Sequence, residues 1–356
     1  MKKLGVAAAL MLCAFGASAS NFRGADQVYI PIAAHAGGAS GTFISDVYIS
    51  NLTSDDVDVS VLFQPGGEGG GPGQEFKNVI SLRPNERKEY LDFFKSALGI
   101  TNNVAGLVIF NGCKKNSAGC GEDQQDTQTG ISANFRAISV ESRIYVIPGE
   151  GAGLPPANTR QNGQLFSGIP WYNFVSSLQS NSGLDKVFIT GITQTGGPGQ
   201  VGTYRTNIGV VNASQFSRTT LKLTLYQNTL DAAGKKKEVT VDLGPLGSTG
   251  AKGLGDWFGK DSNGNDLFTG SNYFVVVEQT NSTAESPGNG ITVPAACGGQ
   301  GCPAFLAFGS MLDNASSDAI TLEAQYMKEL GPEAIAAIYP STTGAGKTLM
   351  RRSARH

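Results

Sequence analysis

One stretch of this chain occurs twice, and that repeat limits the fold more than any other feature. Gly41-Thr42-Phe43-Ile44-Ser45-Asp46-Val47-Tyr48-Ile49-Ser50-Asn51-Leu52-Thr53 returns 161 residues later as Gly202-Thr203-Tyr204-Arg205-Thr206-Asn207-Ile208-Gly209-Val210-Val211-Asn212-Ala213-Ser214. Each copy has an aromatic two residues after Gly, then Asp or Asn, then alternating apolar residues, then Asn as the strand ends. A second alternating run follows each copy, Val57–Phe63 in one and Leu221–Tyr226 in the other. Alternation with period two, broken by a polar turn and resumed, predicts strand, turn, strand. Val47, Ile49, Ile208 and Val210 are expected to face a core, with Phe63 and Leu225 opposing them. Tyr48 and Gly209 are then expected on the other face.

The repeat extends further. The opening strands are expected near Gln27–Ala34 and Val187–Ile192, and Pro31 marks the first as an edge or bulged strand. Phe76–Leu82 answers Glu238–Leu243. Tyr90-Leu91-Asp92-Phe93-Phe94 answers Leu254-Gly255-Asp256-Trp257-Phe258, and a short helix is expected over Tyr90–Leu98, ended by Gly99. Trp257, the counterpart of Phe93, is expected in the core. The expected fold is all-β: two tandem immunoglobulin-like β-sandwiches from an internal duplication, with short helical segments, over residues 27–147 and 186–330. Residues 148–185 are read as a connector and 331–356 as a tail. The connector carries Trp171, Tyr172 and Phe174 together, which suits packing against the sandwiches better than a free linker.

Composition agrees with short strands and turns. The 356 residues include 48 Gly, and only 16% are charged, a poor mix for helical bundles. With 40% apolar residues the chain can fill packed cores. The formal net charge of −2 offers no basic face to a phosphate backbone, so no nucleic-acid partner is expected.

Lys2 and Lys3, the apolar run Leu4–Phe15 and the small residues Ala17-Ser18-Ala19 read as a signal peptide over residues 1–19. Export to the periplasm, cell surface or medium is the expectation, and no later run is long and apolar enough for a membrane span. In an oxidising compartment, Cys113 is expected to pair with Cys120 and Cys297 with Cys302, because each pair falls in the same loop of its repeat.

Few motifs carry chemistry. Asp261-Ser262-Asn263-Gly264-Asn265-Asp266 alternates oxygen ligands as calcium loops do, with Asp261, Asn263 and Asn265 as the candidate ligands. Its sixth position is Asp instead of Gly, so a plain polar turn is the favoured reading, and no cofactor is expected. Thr343–Thr348 resembles a phosphate loop but has Ser341 where the first Gly belongs. His35 is read as a solvated loop residue, and with His356 it completes the histidines. No hydrolytic triad is expected, and hence no enzyme. Asn51-Leu52-Thr53 and Asn212-Ala213-Ser214 match the glycosylation pattern, yet an Asn leaving a strand caps the turn through its own amide. Trp171 and Tyr172 are the candidates for stacking on a sugar.

The paired Gly-aromatic-Asn strands, the Asp-aromatic-Phe segments and the closing Ser142-Arg143-Ile144-Tyr145 resemble repeats of uncharacterised secreted bacterial proteins. That resemblance covers roughly residues 27–330. It implies immunoglobulin-type sandwiches set in tandem on exported or cell-surface proteins. Repeat 2 departs from the closing motif with Leu322-Glu323-Ala324-Gln325-Tyr326. The function expected is a non-enzymatic structural or adhesive protein meeting a protein or glycan at the cell surface, with carbohydrate binding as the alternative.

Overall fold

In the computed structural model, the described residues are 24–38, 41–117, 134–147, 163–171, 186–197, 200–314 and 319–327. Residues 1–19, read from the sequence as a signal peptide, lie outside them, as do Cys120, Tyr172 and residues 331–356, with the phosphate-loop lookalike and His356.

The first half contains β1 (Gln27–Gly38), β2 (Gly41–Asn51), β3 (Val57–Pro65), β4 (Gln74–Leu82), β5 (Arg87–Tyr90), α1 (Phe93–Ser96), β6 (Val104–Lys114), β7 (Ile138–Ile147), β8 (Gln164–Ser167) and β9 (Ile169–Pro170). The second contains β10 (Lys186–Gln194), β11 (Tyr204–Asn212), β12 (Ser217–Gln227), β13 (Lys235–Leu243), β14 (Lys252–Gly253), α2 (Leu254–Phe258), β15 (Gly270–Ala284), β16 (Phe305–Asp313), β17 (Ala319–Leu322) and β18 (Ala324–Met327). All the pairings are antiparallel.

One layer of the first half runs β4-β3-β6-β1, with β9 on β1. The other runs β5-β2-β7-β8. The second half runs β13-β12-β15-β10-β18 and β14-β11-β16-β17. Strand for strand the two orders agree. Both opening strands also slip register at the same place, between Ile30 and Ala33 in β1 and between Ile189 and Ile192 in β10. Pro31 therefore marks a bulge in an interior strand. The inner pairs, second with fifth and third with sixth, are those of an immunoglobulin sandwich. The first and last strands have exchanged layers: β1 lies beside β6, and β7 beside β2. The halves differ at one seam. The end of β1 ladders with β2 through His35–Gly38, which joins the two layers of the first half into one sheet.

Residues 164–170, read from the sequence as connector, are strands that complete the first sandwich.

Each sandwich closes on its own core. Val47, Ile49 and Phe63 are buried in the first, and Ile208, Val210 and Leu225 in the second. The Asp-aromatic-Phe segments plug both cores: Phe93 and Phe94 from α1, and Leu254, Trp257 and Phe258 from α2. Trp257 donates its indole N–H to the Ile208 carbonyl at 3.0 Å. The expected nine-residue helix is a single turn: Tyr90 is taken by the pairing with β2, and the left-handed backbone of Asp92, φ 48°, holds the helix start back to Phe93.

A third apolar cluster joins the halves. It takes Tyr29, Leu107, Ile109 and Phe166 from the first and Val211, Leu306 and Phe308 from the second. Phe166 and Phe308 meet edge to face at 5.7 Å. The Gly-rich loop after β3 closes the seam. Gly67 and Ser248 exchange both backbone hydrogen bonds at 3.0 Å, and Gly71 donates to the Pro245 carbonyl at 2.8 Å. Gly70, at φ 64°, lies so close to Pro245 that a side chain has no room there.

The seam covers the face on which Gly209 lies. Its counterpart Tyr48 does face away from the core, with Arg87 over its ring at 5.2 Å. Gly209 also turns from its core, but a Cβ there would overlap the Phe308 ring and lie 2.7 Å from the Gly250 carbonyl. Gly209→Ala is expected to lower stability by about 1–3 kcal/mol through overpacking. Thermal melts of the variant beside wild type are the check, and an unchanged midpoint would show that Phe308 gives way freely.

Candidate functional site

The repeated Asn performs the capping role. Asn51 donates from Nδ2 to the carbonyls of Asp55 at 2.7 Å and Arg83 at 2.9 Å, and its Oδ1 accepts the Thr53 N–H at 2.9 Å. Asn212 does the same with the carbonyls of Ser217 at 2.6 Å and Gly244 at 2.9 Å, and with the Ser214 N–H at 3.0 Å. Both are buried and their amides are fully engaged. In the folded chain neither presents a free amide to a sugar-transferring enzyme.

His35 is not a solvated loop residue. It lies in β1, half-buried, with Nδ1 2.8 Å from Asp92 Oδ1. Strand pairing with β2 carries β1 past His35 to Gly38, where the glycines suggested a loop. Asp92 itself has a left-handed backbone, φ 48°, just before α1. Its N–H donates to Asp46 Oδ1 at 2.9 Å, and that oxygen also accepts the Tyr145 hydroxyl at 3.1 Å. Two buried carboxylates, an imidazole and a phenol thus tie β1, β2, β7 and the α1 corner together. Buried carboxylates persist where such donors meet them. Among the described residues the second half has no such network. Asn207 stands in the place of Asp46, and Gln194 Oε1 instead accepts the Thr206 N–H at 3.1 Å.

Between the halves is a cavity of about 550 Å³. Its walls come from β1, β2, β7 and β8 on one side and from β11 and β16 on the other. Ala34, Ala36, Phe43, Ile144, Phe166 and Phe308 make most of the wall apolar. Arg205 and Asn207 enter from β11, two residues apart and so on one face of that strand. Arg205 Nη1 donates to Asn314 Oδ1 at 2.6 Å. Burial pushes the Arg205 pKa down. Tyr145 links the cavity wall to the His35–Asp92–Asp46 network. Ser310 and Gln164 bond across the seam at 2.6 Å.

The residues named from sequence lie elsewhere. Cys297, on a 3-10 turn over Ala295–Gln300, is joined to Cys302 just after it, S–S 2.04 Å. Cys113, buried at the end of β6, is disulfide-bonded, while Cys120 lies outside the described residues. The Asp261 loop is an exposed polar turn. Asp261 Oδ1 accepts the N–H groups of Asn263 at 2.9 Å and Asn265 at 2.8 Å, and the Asn265 side-chain amide donates to Oδ2 at 3.2 Å. These bonds hold the Asp261 pKa below its ordinary value, the Asn265 backbone N–H first among them. The loop's own donors thus point at the carboxylate that a cation would need. Among the described residues no three His, Cys, Asp or Glu side chains gather as a metal site. Trp171 is half-buried against the first core and the seam, with its indole N–H on Asp26 Oδ1 at 2.8 Å. Tyr172 lies outside the described residues.

Sequence reading missed Arg205 and Asn207 as a pair. Their signal was the departure of one repeat from the other, since Arg205 stands where the first copy has Ile44. A comparison with protein-family models finds no match, and neither does one with curated proteins.

Proposed function

We propose that the chain is an exported, non-enzymatic structural or adhesive module of the cell surface or periplasm, built on two sandwiches that arose by duplication. The observation that carries this reading is the apolar cluster the two halves share, centred on Phe166 and Phe308. Tandem sandwiches joined by a free linker swing independently, whereas a shared core makes one stiff body able to transmit load. The Cys297–Cys302 bond and the leader-like residues 1–19 support an oxidising compartment. His35 and Asp92 supply a base and its orienter. This reading gives the pair a structural role, holding the end of β1 to the corner before α1. The partner in this reading is a protein or glycan of the cell surface.

Fractionation of the source cells with intact-mass measurement is expected to place the protein outside the cytoplasm and without residues 1–19. A cytoplasmic protein that keeps its first residues overturns the reading. A glycan array separates the adhesive role from carbohydrate binding: saturable glycan binding that Trp171→Ala abolishes would favour the latter.

A further inference from the structure

The seam between the sandwiches carries a binding site as well as a joint. Three observations meet there. The cavity volume of about 550 Å³ falls among ligand pockets, which span roughly 300–1,000 Å³. Its wall is mainly alanine, aliphatic and phenylalanine side chains, which holds ordered water poorly. Into this apolar space β11 projects a guanidinium, and among the described residues lining the cavity Arg205 carries the one charge.

The donor count at Arg205 is unfilled. A guanidinium has five N–H donors in a planar fork. Asn314 takes one, from Nη1. The opposite edge, Nε with Nη2, has no partner among the described residues. Asn207, two residues on, uses its side-chain amide in no hydrogen bond among them. A half-buried cation without a counter-ion is costly, and so is an idle amide beside it. Both costs fall when an oxyanion binds. A carboxylate fits best, because its two oxygens match the free edge of the fork and its single charge cancels the single guanidinium. A phosphate dianion would keep an uncompensated charge in an apolar wall. The rest of the occupant must satisfy Ala34, Ala36, Phe43, Phe166 and Phe308, and only an apolar body does so.

We propose that this cavity binds a small organic carboxylate with an apolar body, its carboxylate held by Arg205 and Asn207 and its body between Ala36 and Phe308. The site exists because the repeats differ. In the first copy the position of Arg205 is Ile44, and that of Asn207 is Asp46, whose carboxylate is spent on Tyr145 and Asp92. The inference does not depend on the adhesive reading, since a structural module and a ligand carrier would use the seam equally.

The probe is sodium decanoate, titrated calorimetrically into the full chain, with decanol and decyltrimethylammonium as neutral and cationic analogues of the same tail. The expected result is saturable binding of one decanoate per chain, with both analogues weaker. Arg205→Met should weaken decanoate about 10- to 100-fold, the effect of losing hydrogen bonds to a charged group. Arg205→Lys should fall between, keeping the charge but not the fork. Ala36→Phe, which fills the cavity without changing charge, should remove binding. Circular dichroism checks that each variant is folded. If Arg205→Met fails to fold, Arg205→Lys and Ala36→Phe decide, and unchanged affinity in both overturns the proposal. It is equally overturned if folded wild-type protein shows no saturable heat, or if decanol or the ammonium binds as tightly as decanoate.

Discussion

Val210→Asp should unfold the second sandwich. Val210 is fully buried in β11, inside the cluster that holds Ile189, Leu223, Trp257 and Phe305. Removing it forfeits about 1.5–3 kcal/mol of apolar burial. The carboxylate that replaces it finds no cation in that core and adds several kcal/mol more. The sum is comparable with the whole stability of an ordinary domain, about 5–15 kcal/mol. The damage should not stop at the repeat. Val211, the next residue, belongs to the seam, so loss of β11 uncovers Tyr29, Leu107 and Ile109 on the first sandwich. Wild-type protein is therefore expected to unfold in urea as one transition reported alike by fluorescence and far-ultraviolet dichroism. Val210→Asp should show no cooperative transition for the second half and a destabilised first half. Thr240→Asp, on the exposed face of β13 and opposite Lys222, is the control and should move stability by less than about 0.5 kcal/mol. A Val210→Asp protein with a wild-type midpoint would remove the basis for assigning the core faces.

Those faces were legible because period two was present twice, and an error in one copy is corrected by the other. The Asp-aromatic-Phe segments and the Asn caps were legible for the same reason. Both are local devices, and the sequence names their residues. The seam was written less plainly. Leu107-Val108-Ile109-Phe110 in β6 and Phe305-Leu306-Ala307-Phe308 in β16 are continuous apolar runs, and such runs mark strands buried on both faces. Val108 and Phe110 fill the first core, while Leu107 and Ile109 meet the other repeat. What the run cannot state is which surface covers the second face. The exchange of β1 and β7 between layers was likewise not readable, because it rests on pairings such as Asp46 with Arg143, far apart in the chain. His35 failed for a related reason. The local string Ala34-His35-Ala36-Gly37-Gly38 has no strand propensity; pairing with β6 carries the strand to His35, and the ladder to β2 carries it on to Gly38.

Asn212→Ala should cost more than Asn51→Ala, although the two residues make the same bonds. In Asn212 the lost amide strands the Ser217 carbonyl and the Ser214 N–H, and leaves the Gly244 carbonyl with the Gly247 N–H alone. Ala213, Ser214 and Ser217 are all fully buried, so water cannot replace the side chain. Each orphaned group costs about 1–3 kcal/mol, and local relaxation brings the expected total to about 2–5 kcal/mol. Around Asn51 the neighbours Leu52, Asp56 and Arg83 are exposed. Solvent reaches the Asp55 and Arg83 carbonyls there, and the expected loss is about 1–2 kcal/mol. Asn212→Asp should be no better than alanine, because it keeps the acceptor for Ser214 but sets a carboxylate against two carbonyl oxygens. Urea midpoints of the three variants, at unchanged slope, measure these differences. If Asn51→Ala proves as costly as Asn212→Ala, the seam does not exclude water from the second cap, and the stiffness attributed to the joined sandwiches loses its physical support.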